Sequence, residues 1–559
     1  MLEISAQMEL VLVDTSGIQP YIFGSNRLQE NIGASHLVAQ ATHEWVWRTV
    51  REVAPECNVQ LDGVVDESAR IEDGKIRAEV IYTGGGNALV VFRGGGLAAR
   101  FERSLSERAL VEAPDLRLHV AMKIFDWNAD RLNEIQAQLA EDLARDKRRA
   151  ELSSPLLGLG VSRLCHSTGL PAVGDVKLAG GDEPYPAHAS IHAKLAVAGS
   201  SHPPETERER TEAERRLSRL IPPPSPDYKY PRQFDHLGRT HEEHSYIAVI
   251  HADGDEIGAR IEKLGENDTP NRSYIQDLRA FSQALDSAAR QALLDTVCAV
   301  CRRIEEDDRG RAIRHSMLRI ELRKEKGAYW LPLRPIVFGG DDMTMVCDGR
   351  LGMAMAVEYL QHFRQRTSDL PDGRGAASAC AGIAIVKAHY PFARAYGLAE
   401  ELSREAKAYR RELYERCGYS GPCLDWHFAT GGLGGSLNAI RSREYQVKLN
   451  GQPAHLNLRP VTRDNNCFHT ARAWATVRDG IDAFQDPEQW AGRRNKVKAL
   501  RDALRGGSKA VNQFLGRYGL KTLPPVGARE AGWDENGWVG ERCVYFDAIE
   551  MADWFMPLE

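Results

Sequence analysis

The chain reads as an α+β protein: two ferredoxin-like units, an insert between them and a small helical C-terminal domain. Three observations predict this. First, two stretches share one form, "AEVIYTGGGNALVVF" (78–92) and "PIVFGGDDMTMVCDG" (335–349), each an apolar strand, a glycine turn and a second apolar strand. Second, an apolar strand running into a glycine turn lies upstream of each, "ELVLVDTSGIQ" (9–19) and "YIAVIHADGDEIG" (246–258). Third, each hairpin leads into a helical pattern, a strand and a charged amphipathic helix.

In order along the chain, the first unit takes residues 1–150 and closes with "LAARFERSLSERAL", "LRLHVAMKIF" and "LNEIQAQLAEDLARDKRR". Residues 151–240 form an insert or linker, because "SSHPPETERERTEAERRLSRLIPPPSPDYKYPRQ" is a charged helical candidate between proline clusters. The second unit takes 241–460, with "LGMAMAVEYLQHFRQ", "SACAGIAIVKA" and "FARAYGLAEELSREAKAYRREL" in matching places. The stretch "WHFATGGLGGSLNAIRSREYQVKLNGQ" reads as an extended excursion, and 461–559 as a helical cap. Both units therefore follow β-α-α-β-β-α-β-α, helices against an antiparallel sheet. Aligning the glycine turns sets Ser16 opposite Asp253, Gly86 opposite Asp341 and Asn87 opposite Asp342. The spans between, 70 residues from Ser16 to Gly86 and 88 from Asp253 to Asp341, suit helical inserts. On this alignment the first copy has lost its acids.

At 559 residues the chain is too long for one core, and three or four domains are expected. A 43% hydrophobic and 27% charged composition fits a soluble globular protein. The net charge, 72 − 78 = −6, argues against a broad non-specific nucleic-acid surface while allowing a local basic groove. The N-terminal stretch has no signal-peptide pattern, no window is apolar enough to span a membrane, and ten scattered cysteines fit free thiols; a cytoplasmic protein is expected.

The chemistry concentrates on three carboxylates. Asp253 ends one strand, and Asp341 and Asp342 sit at the tip of the hairpin; Asp255, two residues beyond Asp253, faces the same way if the strand is still extended there. Oxygen-only clusters suit Mg²⁺ or Mn²⁺, and two such ions clamp an in-line phosphoryl displacement. Gly254, Gly339 and Gly340 let a phosphate chain approach the backbone. Lys407 and Arg411, at i and i+4, project from one helix face toward such phosphates. Blander readings stand beside these: a plain hairpin turn for Asp341 and Asp342, a helix cap for Asp255, and a solvated helix face for Lys407 and Arg411. Cys298 and Cys301 fit a helix interior, and Cys165 with His166 lacks a second ligand pair, so zinc is not expected.

"HADGDEIG", "FGGDD", "CAGIAIVKAHYPFARAYGLAEELSREAK" and "DTSGIQPYIFGSNRLQENIGAS" together resemble the palm domains of the Cas-ten or Cmr-two family, the large polymerase-like subunit of type III CRISPR effectors. Diguanylate and class III adenylyl cyclases are more distant relatives of that palm. The resemblance covers roughly residues 8–460. It implies an ATP-consuming nucleotidyltransferase of antiviral defence that makes cyclic oligoadenylate and releases pyrophosphate. Carried over, Asp253, Asp341 and Asp342 become metal ligands, while Ser16, Gly17 and the turn Gly84, Gly85, Gly86 and Asn87 line the second nucleotide site. The resemblance also implies CRISPR-type protein and RNA partners.

Departures from the family leave alternatives open. The first palm begins almost at Met1 with no HD nuclease domain before it, so DNA cleavage is not expected; the inter-palm zinc insert is reduced to "LCHSTGLPAVG". A stand-alone synthase, a homodimer, a non-catalytic guide-RNA scaffold and a nucleotide sensor each remain compatible with the sequence.

Overall fold

The computed structural model describes residues 7–150, 160–178, 183–199, 211–237, 245–266, 269–429, 435–449, 451–464, 471–486, 488, 490, 493–527 and 532–559. Much of the charged tract predicted as an inter-unit helix lies outside them; its described end is the helix Glu212–Leu220.

The first unit runs β1 (Gln7–Ser16), α1 (Leu28–Thr42), β2 (Ala78–Gly84), β3 (Asn87–Phe92), α2 (Leu97–Glu112), β4 (Arg117–Asp126) and α3 (Leu132–Ala150). Its strands order as β2-β3-β1-β4, with β1 antiparallel to both neighbours. The alternation in "QMELVLVDTS" decides which core each residue enters. Val11 and Val13 face a cluster shared with the second sheet, whereas Met8, Leu10 and Leu12 pack with Leu139 and Leu143 of α3.

The second unit runs β5 (Tyr246–Gly254), α4 (Asn271–Arg302), β6 (Leu333–Gly339), β7 (Asp342–Asp348), α5 (Gly352–Arg366), β8 (Ala379–Lys387) and α6 (Phe392–Cys417). Its sheet begins with the same order, β6-β7-β5-β8, and continues through β9 (Cys423–Ala429) and β10 (Val461–Thr462). The stretch expected as an excursion therefore contributes a strand, with β9 parallel to β8. The span expected to be helical holds the 32-residue α4, but also a three-stranded meander over Ile304–Asp307, Gly310–His315 and Leu318–Glu321. Short β-favouring runs between turns, such as "RAIRH", carry that meander, and the length argument did not weigh them.

The units interlock. α4 reaches across to the first sheet, where Arg279 donates to Glu79 Oε1 at 3.1 Å and to the carbonyls of Val80 and Ile81. In return, Phe23 stacks on Tyr396 of α6 with centroids 3.8 Å apart, and Asn26 Oδ1 accepts from the Phe392 amide at 2.8 Å. Beyond β10, helices Trp474–Gln485, Arg494–Arg505, Ser508–Tyr518 and Phe546–Met551 extend the core built on the other face of the second sheet. The short strands Trp538–Val539 and Arg542–Cys543 interrupt these helices and join a small sheet with Gln446–Leu449 and Gln452–His455. Among the described residues no helix is long and apolar enough to cross a membrane.

Cys298 and Cys301 lie on α4, and burial lifts the Cys301 thiol to about 12. Among the described residues Cys417, the last residue of α6, departs from the free-thiol expectation, being disulfide-bonded.

Candidate functional site

The hairpin register builds the site. Asp342 pairs with Gly339 across the turn and with Asp253 on β5, so the two aspartates stand directly opposite each other on one sheet face. Asp341 occupies the turn between β6 and β7, where its carbonyl accepts from the Gly254 amide at 3.1 Å. This explains Gly254: a Cβ there would meet Asp341 Cβ at 2.6 Å. Burial and the neighbouring Asp253 charge push Asp341 up to about 6 and Asp342 up to about 7. Asp342 is two-faced, since its side chain is 49% exposed yet its Oδ1 is enclosed without a hydrogen-bond partner.

Two residues flank the acids from the same face. Lys407 on α6 donates to Asp253 Oδ2 at 2.6 Å and to the Gly254 carbonyl at 2.8 Å. His251, two residues before Asp253 on β5, lies 3.4 Å from Asp342 Oδ1 and 3.3 Å from Thr344 Oγ1. Burial holds the imidazole below its usual range, so it sits neutral beside the acids. The period of two along β5 was the signal that places His251 with Asp253, and the sequence reading assigned it no role.

Asp255 and Arg411 stand elsewhere. The chain turns out of β5 after Gly254, so the extended geometry that would align Asp255 with Asp253 does not continue. Asp255 is buried, 3.3 Å from Arg410 Nε, and accepts from Cys380 Sγ at 3.5 Å; burial lifts its pKa. It pairs with neither Asp341 nor Asp342, and Glu256 rather than Asp255 is the residue before the helix Ile257–Glu262. Arg411 is exposed, and the inward cation one helical turn from Lys407 is Arg410 at i+3.

Oxygen-only donors, an unpartnered enclosed Asp342 Oδ1 and mutually repelling carboxylates are what a hard divalent cation satisfies. As the side chains stand, no group of three or more His, Cys, Asp or Glu among the described residues is gathered to hold a metal. The Lys407 ammonium draws Asp253 and supplies the local positive charge instead.

The first unit carries a counterpart that the sequence alignment misplaced. Asp14 pairs with Asn87 as Asp253 pairs with Asp342, so Asp14, not Ser16, is the structural partner of Asp253. Lys147 on α3 donates to Asp14 Oδ2 at 2.5 Å and to the Thr15 carbonyl at 3.0 Å, matching Lys407 bond for bond. Ser16 takes the place of Asp255: its Oγ is 2.7 Å from His119 Nε2, as Asp255 meets Cys380. The alignment slipped by two because it anchored on glycine. The shared feature is a left-handed residue before a six-residue helix, Gly17 at φ 63° and Glu256 at φ 61°. The first copy has thus kept one acid, contrary to expectation, and lost the two at the tip, now Gly86 and Asn87.

The two tips touch, since a Cβ on Gly340 would lie 3.7 Å from Gly85 Cα. The tip Gly84–Asn87 therefore meets the tip Gly339–Asp342 at Gly85 and Gly340, and the Gly340 amide donates to Asp286 Oδ1 at 3.3 Å.

Residues 246–414 match the family model of Cas10/Cmr2, second palm domain. The match covers β5 through most of α6, the segment that carries every acid of the second-unit site. No curated protein matches the chain. Among solved structures, Csm1 from T. onnurineus aligns over 98% of this chain and 70% of its own, at 14% identity and a TM-score of 0.50, a likeness of fold. A Csm1-Csm4 cassette in complex with cA4 aligns over 72% of this chain at 13% identity and a TM-score of 0.40; one with AMPPNP gives 72%, 15% and 0.40. The chain spans about half the length of those two cassette chains, 53% of each.

Proposed function

We propose that this chain is a metal-dependent nucleotidyltransferase that joins ATP into a cyclic oligoadenylate messenger with release of pyrophosphate, acting in antiviral defence. The observation that carries the reading is the in-register pair Asp253 and Asp342 with Asp341 beside it, at a hairpin tip within the segment that matches the Cas10/Cmr2 second palm. Asp253, Asp341 and Asp342 would hold Mg²⁺ or Mn²⁺, which neutralises phosphate oxygens and lowers the pKa of an attacking hydroxyl when bound. Asp255 is left out of the ligand set because Arg410 already takes its charge.

The chain's own residues have definable tasks. Lys407, which holds Asp253 Oδ2 and the Gly254 carbonyl, would supply an ammonium for phosphate oxygens if Asp253 were taken up by a cation. Neutral His251 keeps Asp342 Oδ1 apart from water on the sheet side. Asp14, Lys147 and Asn87, with Ser16, Gly17 and the turn Gly84–Gly86, form the wall for a second nucleotide, in two palm units spanning 1–150 and 241–460 about the insert 151–240, with 461–559 as cap.

The test is direct: incubate the protein with ATP and Mn²⁺, measure pyrophosphate, and identify products by mass spectrometry. Pyrophosphate and a cyclic adenylate, both absent with Asp342→Ala, support the reading; identical output from that variant overturns it. The Lys407–Asp253 ion pair favours one second reading, a nucleotide sensor with little turnover, in which calorimetry detects ATP binding while the product analysis stays empty.

A further inference from the structure

Behind α6, on the side turned away from the acids, lies a cavity of about 380 Å³ floored by that helix and closed by the C-terminal segments. Helix periodicity separates the two faces: Ser403, Lys407 and Arg410 meet Cys380, Asp253 and Asp255 on the sheet side, whereas Glu405, Ala408, Tyr409 and Glu412 line the cavity. Four arginines converge on it from four different segments, Arg441, Arg459, Arg472 and Arg542.

Two of these are neutralised from behind. Arg441 bonds Asp425 at 2.5 Å, and Arg459 lies 3.2 Å from Glu550 and 3.5 Å from Asp547. The other two have no carboxylate partner among the described residues. Arg472 donates through Nε to the carbonyls of Leu458 and Pro460 at 2.9 and 3.0 Å, with its guanidinium 3.6 Å above the Tyr409 ring. Arg542 donates through Nη1 to the Asn457 carbonyl at 2.9 Å. These bonds fix both guanidinium planes and leave further N–H donors for a ligand. Burial depresses Arg472 to about 10, with repulsion from Arg542 beside it, and burial also lowers Arg542 against the pull of Asp547 and Glu412 beyond ion-pair distance, so an anion between the two guanidinium groups relieves both.

We infer that this cavity is a binding site for a phosphate-bearing ligand of the size of one nucleotide, held by Arg472 and Arg542. A cavity of this volume is at the small end for organic ligands. Glu405 and Glu412 on the rim disfavour a polyanion, so a monophosphate or a phosphodiester fits where a triphosphate does not. That charge balance separates this site from the one proposed for ATP. It does not depend on whether the chain turns ATP over.

Free nucleotide and RNA backbone share this chemistry, and two probes tell them apart. Calorimetry with 5′-AMP and fluorescence anisotropy with a labelled six-nucleotide RNA are run on the full chain, on Arg472→Gln/Arg542→Gln and on Asp342→Ala. Binding of either probe that weakens at least tenfold in the arginine double variant and is unchanged in Asp342→Ala supports the site, with AMP pointing to a mononucleotide and RNA alone to a phosphodiester. Neither probe binding, or equal affinity in the double variant, overturns it. If circular dichroism shows the double variant unfolded, Ser442→Trp, which plugs the mouth from an exposed position, replaces it with the same expected loss.

Discussion

The two units carry the same clamp and differ in what surrounds it. In each, a strand-end aspartate and the next carbonyl are held by a lysine from the helix after the fourth strand: Asp14 and Thr15 with Lys147, Asp253 and Gly254 with Lys407. Only the second adds carboxylates at the hairpin tip, Asp341 and Asp342, where the first has Gly86 and Asn87. One lysine balances one aspartate, so the first clamp is neutral and complete. The second carries two further acids crowded against Asp253, and burial first, then the Asp253 charge, raises the pKa of both. The backbone supplies the clamp, and two tip residues set how much negative charge gathers beside it.

Removing the tip acids breaks the comparison most severely. Asp342→Ala should lower pyrophosphate release from ATP by a factor on the order of 10² to 10³, as loss of one electrostatic stabiliser does, while Asn87→Ala leaves the maximal rate within a few-fold. A steady-state assay with Mn²⁺ reads both. Next come the lysines. Lys407→Met should cost roughly tenfold or more in kcat, whereas Lys147→Met should act mainly on KM for ATP, and equal effects on both constants would erase the proposed division of labour.

A pH series on metal-free protein sharpens the same contrast. Folding raises the pKa of Asp341 to about 6 and of Asp342 to about 7, so the folded state binds more protons than the unfolded one. Their stabilising contribution is full below about pH 4 and is lost as pH climbs through 6 and 7. The Tm should therefore fall between pH 5 and 8, a decline that Asp341→Asn/Asp342→Asn flattens and that Mn²⁺ opposes more at pH 8 than at pH 5. The smallest effect concerns the touching tips. Gly340 has φ +63°, so Gly340→Ala should cost roughly 1–2 kcal/mol in denaturant unfolding for the backbone alone.

Much of this was legible in the sequence for a physical reason. Strand period, glycine turns and helix amphipathicity are local, and they located β5, the β6–β7 hairpin and α6 with Lys407 on it. At the site itself the errors were of register or of facing. Asp14 was passed over because glycine was taken as the anchor, whereas the backbone tolerates left-handed Glu256 in the position that Gly17 fills. Arg410 was passed over for Arg411 because spacings of three and four are both compatible with one face, and only the packing of α6 on β5 chooses between them. The parallel strand β9 was invisible because nothing local distinguishes a strand that joins a distant edge from an extended loop.

By itself the sequence determined that two similar units exist and that Asp341 and Asp342 distinguish one from the other, since composition and short-range pattern are read directly from the chain. Tertiary structure decided which groups meet. Cross-strand register set Asp253 against Asp342 and Asp14 against Asn87, and helix rotation put Lys407 and Tyr409 on opposite sides of one helix. It also brought Arg472 and Arg542 together from segments 70 residues apart. Such meetings depend on long-range packing, which no local pattern in a single sequence encodes.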